Sequence, residues 1–225
     1  MRTRVYFDQQ LSELRDDILL MGSRVEAELK LAVDAYNTLD EGKAREVYAA
    51  DREVNQARFD IEDKCFTLIV TQQPAAGDLR TIVTALNVIV DLERMGDQTK
   101  GIAKVIPHLL KNPNQPRPLE LVQMSAMVGN MLNQVMLAYA HSNVDLARIV
   151  ANQDDQVDAL YAQVFNQIMS QMAGVEDPDQ VEAAYELLRV ARELERFGDL
   201  ATNVAERVIY LVTGSFDEIN VDDEA

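Results

Sequence analysis

Apolar side chains along the last third of the chain recur every three or four positions. Leu187, Val190, Leu194, Phe197, Ala201, Val204, Val208 and Leu211 form one unbroken stripe, the spacing that keeps residues on a single face of an α-helix. The register 102 residues earlier carries the same stripe through Ala85, Val88, Leu92, Met95, Thr99, Ile102, Ile106 and Leu109. The pattern predicts six long helices, over residues 5–39, 42–73, 78–110, 119–142, 144–172 and 178–213, and no sustained period-two alternation that would make strands. Punctuation agrees with these ends. Asp177-Pro178 sets a capping acid before a proline, and Pro74-Ala75-Ala76-Gly77-Asp78 stops one helix and starts the next. Asp40-Glu41-Gly42 and Ser142-Asn143 are short turns. Short connections make antiparallel neighbours, so the expected fold is all-α, two up-down-up three-helix bundles.

The matching stripes belong to an internal repeat. LERMGD at Leu92–Asp97 returns as LERFGD at Leu194–Asp199, with five of six positions identical. At a shift of 103, Ala44-Arg45-x-Val47 matches Ala147-Arg148-x-Val150, and Ala35-Tyr36 matches Ala138-Tyr139. Asp51-x-x-Val54-Asn55 likewise pairs with Asp154-x-x-Val157-Asp158. A period this long marks two copies of one folding unit. They meet at Lys111–Pro118, KNPNQPRP, whose three prolines cannot continue a helix. The units are therefore 1–112 and 113–225, pseudo-symmetric tandem bundles, the second ending in an acidic tail. That tail, Phe216 to Ala225, holds five acids and little apolar surface, so it is expected to be dispensable for folding.

The repeated hexapeptide also carries chemistry. Glu93/Asp97 and Glu195/Asp199 are acids four apart, one turn above each other on one helical face. The second helix of each unit contributes Asp154/Asp158 or Asp51/Asn55. Counted outward from the hairpin turn, the acids of the second unit's two helices differ in height by only ~3 Å, and those of the first by ~6 Å. Clustered carboxylates repel unless a cation or protons neutralise them. An all-oxygen set favours a hard ion, Mg²⁺, Mn²⁺ or iron, whereas histidine and cysteine sets favour zinc. Asn203 and Glu206 extend the oxygen-rich edge along the last helix. Acids at this spacing are also common on solvated faces, and Arg94 and Arg196 are available to pair with them. Recurrence in both halves, with partners at matching height, favours the metal site.

Other groups add little. His108 and His141 belong to no Glu-x-x-His pair of the di-iron kind. Gly96 and Gly198 interrupt helices at ~1 kcal/mol each, between the two acids in both copies, which suits close approach of a helix or an ion. Met124, Met127 and Met131 sit at helical spacing and read as core. No phosphate loop, no nucleophile with a histidine base and no CxxC is present, so catalysis is not expected. A net charge of −17 disfavours nucleic acid and anionic membrane surfaces and suits a cation or a basic partner. The single Cys65 lies among apolar residues and reads as a buried, inert thiol. Neither a leader pattern nor an apolar run of ~20 residues occurs, so a cytoplasmic protein without membrane insertion is expected.

These motifs together resemble the PhoU family. The resemblance rests on the doubled (E/D)xxxD motif, on Gln73-Pro74-Ala75-Ala76-Gly77-Asp78-Leu79-Arg80, and on Leu194 through Glu206, LERFGDLATNVAE. It covers essentially the whole chain. It implies metal ions (Mg, Mn, Fe or Zn) on Glu93, Asp97, Asp154, Asp158, Glu195 and Asp199, with Asp51, Asn203 and Glu206 as further ligands. It also implies a homodimer that restrains phosphate uptake and the phosphate-starvation two-component response when phosphate is plentiful. The implied partners are the sensor histidine kinase and the ATPase subunit of the phosphate ABC transporter. The first unit departs from the pattern, with Asn55, Gly101 and Lys104 where the second has Asp158, Asn203 and Glu206. Two other readings remain compatible with the residues: a metal-dependent helical phosphohydrolase, and a structural helical adaptor whose acids are only surface.

Overall fold

A computed structural model describes residues 2–215. Among them every regular element is helical: α1 (Arg2–Thr38), α2 (Glu41–Gln72), α3 (Gly77–Lys104), α4 (Ile106–Leu109), α5 (Glu120–His141), α6 (Val144–Ala151), α7 (Asp154–Met172) and α8 (Pro178–Thr213). Helices α1, α2 and α3 pack together as one bundle, and α5, α6–α7 and α8 as the other. The fold is thus a tandem pair of three-helix bundles. The expectation for the tail from Phe216 lies outside the described residues.

Six expected helices become eight segments at two local breaks. Pro107 ends α3 early. It has no amide to donate and its ring opposes the carbonyl four residues back, so the Val105 amide turns to the nearer carbonyls of Ile102 and Ala103 and a short α4 restarts at Ile106. In the second bundle the chain turns at Asn152-Gln153 between α6 and α7. Gln153 bonds to Val150 in a tightened turn. Asp154 and Asp155 then open α7, where acids are favoured by the exposed amides of a helix start. Caps hold the other ends: Asp40 accepts from the amides of Gly42 and Lys43, Asn143 from Leu146, and Asp177 from Asp179.

The stripes are the core. Ala85 through Leu109 in the first copy are all buried, as are Leu187 through Val208 in the second, with Leu211 partly so. Met124 and Met131 are buried and Met127 packs against the core. Cys65 is fully buried, and desolvation pushes its thiol up to about 12, the inert state expected of it. The connector is tied down by Arg117, which donates to the carbonyls of Tyr36 (2.9 Å) and Asn37 (3.3 Å) and lies over the Tyr36 ring.

The bundles join chiefly along α3 and α8, which run antiparallel. Asp91 of α3 faces Asn203, Glu206 and Arg207 of α8. A side chain at Gly101 would strike the Glu193 carboxylate. The Asp91–Asn203 and Gly101–Glu193 contacts are mates under the sequence repeat, so the repeat is also a twofold in space. No described helix is long and apolar enough to cross a membrane.

Candidate metal centre

In the second bundle α8 presents Glu195 and Asp199 one turn apart, and α7 brings Asp158 across from them. One carboxylate oxygen from each lies within 4.8 Å of the others. Asp158 is exposed, so the cluster opens to solvent. Asp154 stands just behind, its Oδ1 buried and without a hydrogen-bond partner. Lost solvation, then repulsion from Asp199 and Asp158, pushes the Asp154 carboxyl up to about 6. The Asp199 carboxyl is also raised to about 6, by desolvation and then by Glu195 and Asp158. Glu195 and Asp158 are raised too, desolvation again leading. Four acids that resist ionising together, with an unsatisfied oxygen among them, fit a divalent cation.

The first bundle builds its equivalent differently. Asp51 is buried on α2, and its Oδ2 accepts from Lys100 Nζ at 2.9 Å and from Asn55 Nδ2 at 3.2 Å. The same ammonium reaches Asp97 Oδ1 at 2.6 Å. Glu93 sits beside them, its carboxyl raised by partial burial and by Asp97. Behind this group lies Glu28 of α1, only 1% exposed. Its Oε1 meets the Thr99 hydroxyl, which itself bonds to the Gly96 carbonyl at 2.7 Å. Burial pushes Glu28 up to about 8, against the pull of Thr99. A protonated Glu28 satisfies this chain, donating to Thr99, whose single proton then goes to Gly96.

Asn203 and Glu206, expected beside the ligands, are placed elsewhere. Both turn toward Asp91 at the α3/α8 contact. Glu206 is eleven residues above Glu195, ~16 Å along the axis, too far to share an ion with it. Their counterparts Gly101 and Lys104 also line the bundle junction, where Lys104 faces Glu193. The differences between the halves that touch the acids are Lys100 against Thr202, Asn55 against Asp158 and Glu28 against Met131. Arg94 comes within 4.0 Å of Asp91 and makes no ion pair with the hexapeptide acids.

Glu28, Lys100 and the pair Asp91/Glu193 stand outside the repeated (E/D)xxxD motif. The repeat held a signal for each. Asp91 and Glu193 are equivalent acids, Lys100 stands opposite Thr202, and Glu28 replaces the apolar Met131. The glycines differ as well. A side chain at Gly96 would come 3.2 Å from Glu28 Oε2, whereas at Gly198 it would meet only Val157 and Val128 in ordinary contact.

Fold and site together define a class: all-helical proteins doubled from a three-helix unit that carries acids four apart on its third helix. The model of the family described as PhoU domain matches residues 18–106 and again 121–208. The chain belongs to the PhoU family. It is 36% identical over 219 residues to the phosphate-specific transport system accessory protein PhoU homolog of Clostridium acetobutylicum, covering 97% of this chain and 99% of that one. The Escherichia coli phosphate-specific transport system accessory protein PhoU is 30% identical, with 92% and 86% covered. Crystal structures of PhoU from Streptococcus pneumoniae and Pseudomonas aeruginosa each superpose with a TM-score of 0.88, at 31% and 34% identity. They cover 94% and 93% of this chain and 99% and 100% of their own.

Proposed function

We propose that this protein is a non-catalytic accessory regulator of phosphate-specific transport, acting by protein–protein contacts. The observation that carries the reading is similarity along nearly the full length to proteins named as accessory to that system. An accessory part must touch the machinery it serves. The partners in this reading are the ATPase subunit of the phosphate transporter and the sensor histidine kinase of the starvation response, met in the cytoplasm by a homodimer.

In the same reading a divalent ion is held by Asp154, Asp158, Glu195 and Asp199, and cross-braces α7 to α8. The oxygen-only donor set and the raised carboxyls support it. The ion's part is to neutralise the acids and fix the surface that partners meet. Deleting the gene in its host should raise phosphate uptake and starvation-gene expression in phosphate-rich medium. Unchanged expression there would overturn the regulatory assignment.

A further inference from the structure

The first bundle carries a cation of its own. Lys100 is held at 2.9 Å from Asp51 and 2.6 Å from Asp97, its side chain 21% exposed. The equivalent position in the second bundle is Thr202, a neutral hydroxyl. Beneath the ammonium the first bundle also holds an acid, Glu28, where the second has the apolar Met131. Glu28 Oε2 and Asp51 Oδ1 are both buried, in residues 1% and 5% exposed, and neither has a hydrogen-bond partner. Both oxygens face the bare Cα of Gly96, where an added Cβ would lie 3.2 Å from one and 3.7 Å from the other. Two unpartnered acid oxygens facing one spot, one from Glu28 and one from Asp51, are costly in a core. The Lys100 ammonium bonds to Asp51 Oδ2 and Asp97 Oδ1 and leaves Glu28 Oε2 and Asp51 Oδ1 without a partner.

We propose that the Lys100 ammonium is the built-in cation of the first bundle, and that it closes a latent divalent-cation site formed by Glu28, Asp51 and Asp97. This deepens the metal-centre reading by assigning the two halves different cations. An ammonium and a divalent ion cannot share the pocket. A metal binds carboxylate oxygens at roughly 2.0–2.6 Å, and the ammonium would then sit within a few ångströms of a like charge. Being part of the chain, the lysine also does not dissociate into solvent. The first bundle is therefore braced without metal, while the second answers to the metal supply.

The test compares Mn²⁺ stoichiometry of the chelator-treated full chain by electron paramagnetic resonance titration. Lys100→Thr copies the second bundle, and Lys100→Met keeps the stem without the charge. Each should bind one Mn²⁺ more than the parent. Glu28→Gln added to Lys100→Thr should weaken that extra ion tenfold or more and leave the parent's ions unchanged. Lys100→Arg, which keeps the charge, should match the parent count. The proposal is overturned if Lys100→Thr and Lys100→Met, helical by circular dichroism, gain no ion, or if Lys100→Arg gains one. Because the readout is a difference, a parent that binds no Mn²⁺ removes the second-bundle site and still leaves the Lys100 variants to decide the first.

Discussion

Asp91 and Glu193 are mates under the twofold that relates the bundles, each an acid of one bundle pressed against a helix of the other. Asp91 faces the Asn203 amide, and Glu193 covers Gly101. Burial pushes Asp91 up to about 6 despite Arg94, Arg207 and Asn203, and Glu193 is raised against four basic neighbours. The junction thus holds carboxyls at a cost, offset by the apolar surface that α3 and α8 bury around them.

A buried acid with a raised pKa makes stability depend on pH in the sense opposite to a salt-bridged one. Between the unfolded value, about 4, and the folded value, the native state keeps a proton that the unfolded chain has released. Stability from that group therefore falls as pH rises through the window and is flat above it, by at most about 1.4 kcal/mol per pH unit. For Asp91 the window closes at about 6, and for Glu28 at about 8. Asp91→Asn should gain melting temperature over the parent between pH 4 and 6 and no more beyond. Glu28→Gln should keep gaining up to about pH 8. Thermal melts of metal-free protein at pH 5, 6.5 and 8 separate the two, and gains that shrink with rising pH would refute the linkage.

The helices were legible because their apolar stripes are long and repeated, and stripe residues such as Leu194 and Phe197 are indeed buried. The breaks were less so. Pro107 is visible in the sequence, but Ile106 and Leu109 keep the stripe's register past it and remain buried in α4, so the apolar pattern alone does not mark the break. The acid pairs were readable from spacing alone. Which neighbours join them was not, since that depends on a third helix. Glu28 arrives from α1, more than twenty residues from any acid of the set. Asn203 lies one turn beyond Asp199 along α8, which points to the ligand edge, and only the antiparallel contact with α3 shows it facing Asp91.

Arg117 ties the connector to the first bundle through two carbonyls and the Tyr36 ring. Hydrogen bonds from a charged group are worth about 1.5–3 kcal/mol when buried, and a cation over an aromatic face about 0.5–1 at exposed sites. Partial exposure puts the expected loss for Arg117→Ala near 1–2 kcal/mol, a fall of roughly 2–8 °C in a chain of this size. Arg117→Lys should recover only part of it, because one ammonium lacks the planar fork. A melt of Arg117→Ala within 1 °C of the parent would show that the connector is held by its prolines alone.

Metal binding should be unequal between the bundles. In the second, Asp158, Glu195 and Asp199 converge with Asp154 behind them, with Arg192 and Arg196 near Glu195 and a threonine, Thr202, where the first bundle has its bridging lysine. In the first, Lys100 already bridges Asp51 and Asp97, and Asn55 replaces an acid with an amide. A divalent ion is held by summed negative charge as well as by oxygen count, so the ammonium weakens the first site on both grounds. Glu195→Gln with Asp199→Asn should therefore abolish most high-affinity Mn²⁺ binding, while Glu93→Gln with Asp97→Asn removes little. Isothermal titration of Mn²⁺ into the two double variants reads the difference directly. Equal losses would sink the asymmetry, and a parent that takes up no Mn²⁺ would sink the second-bundle centre itself.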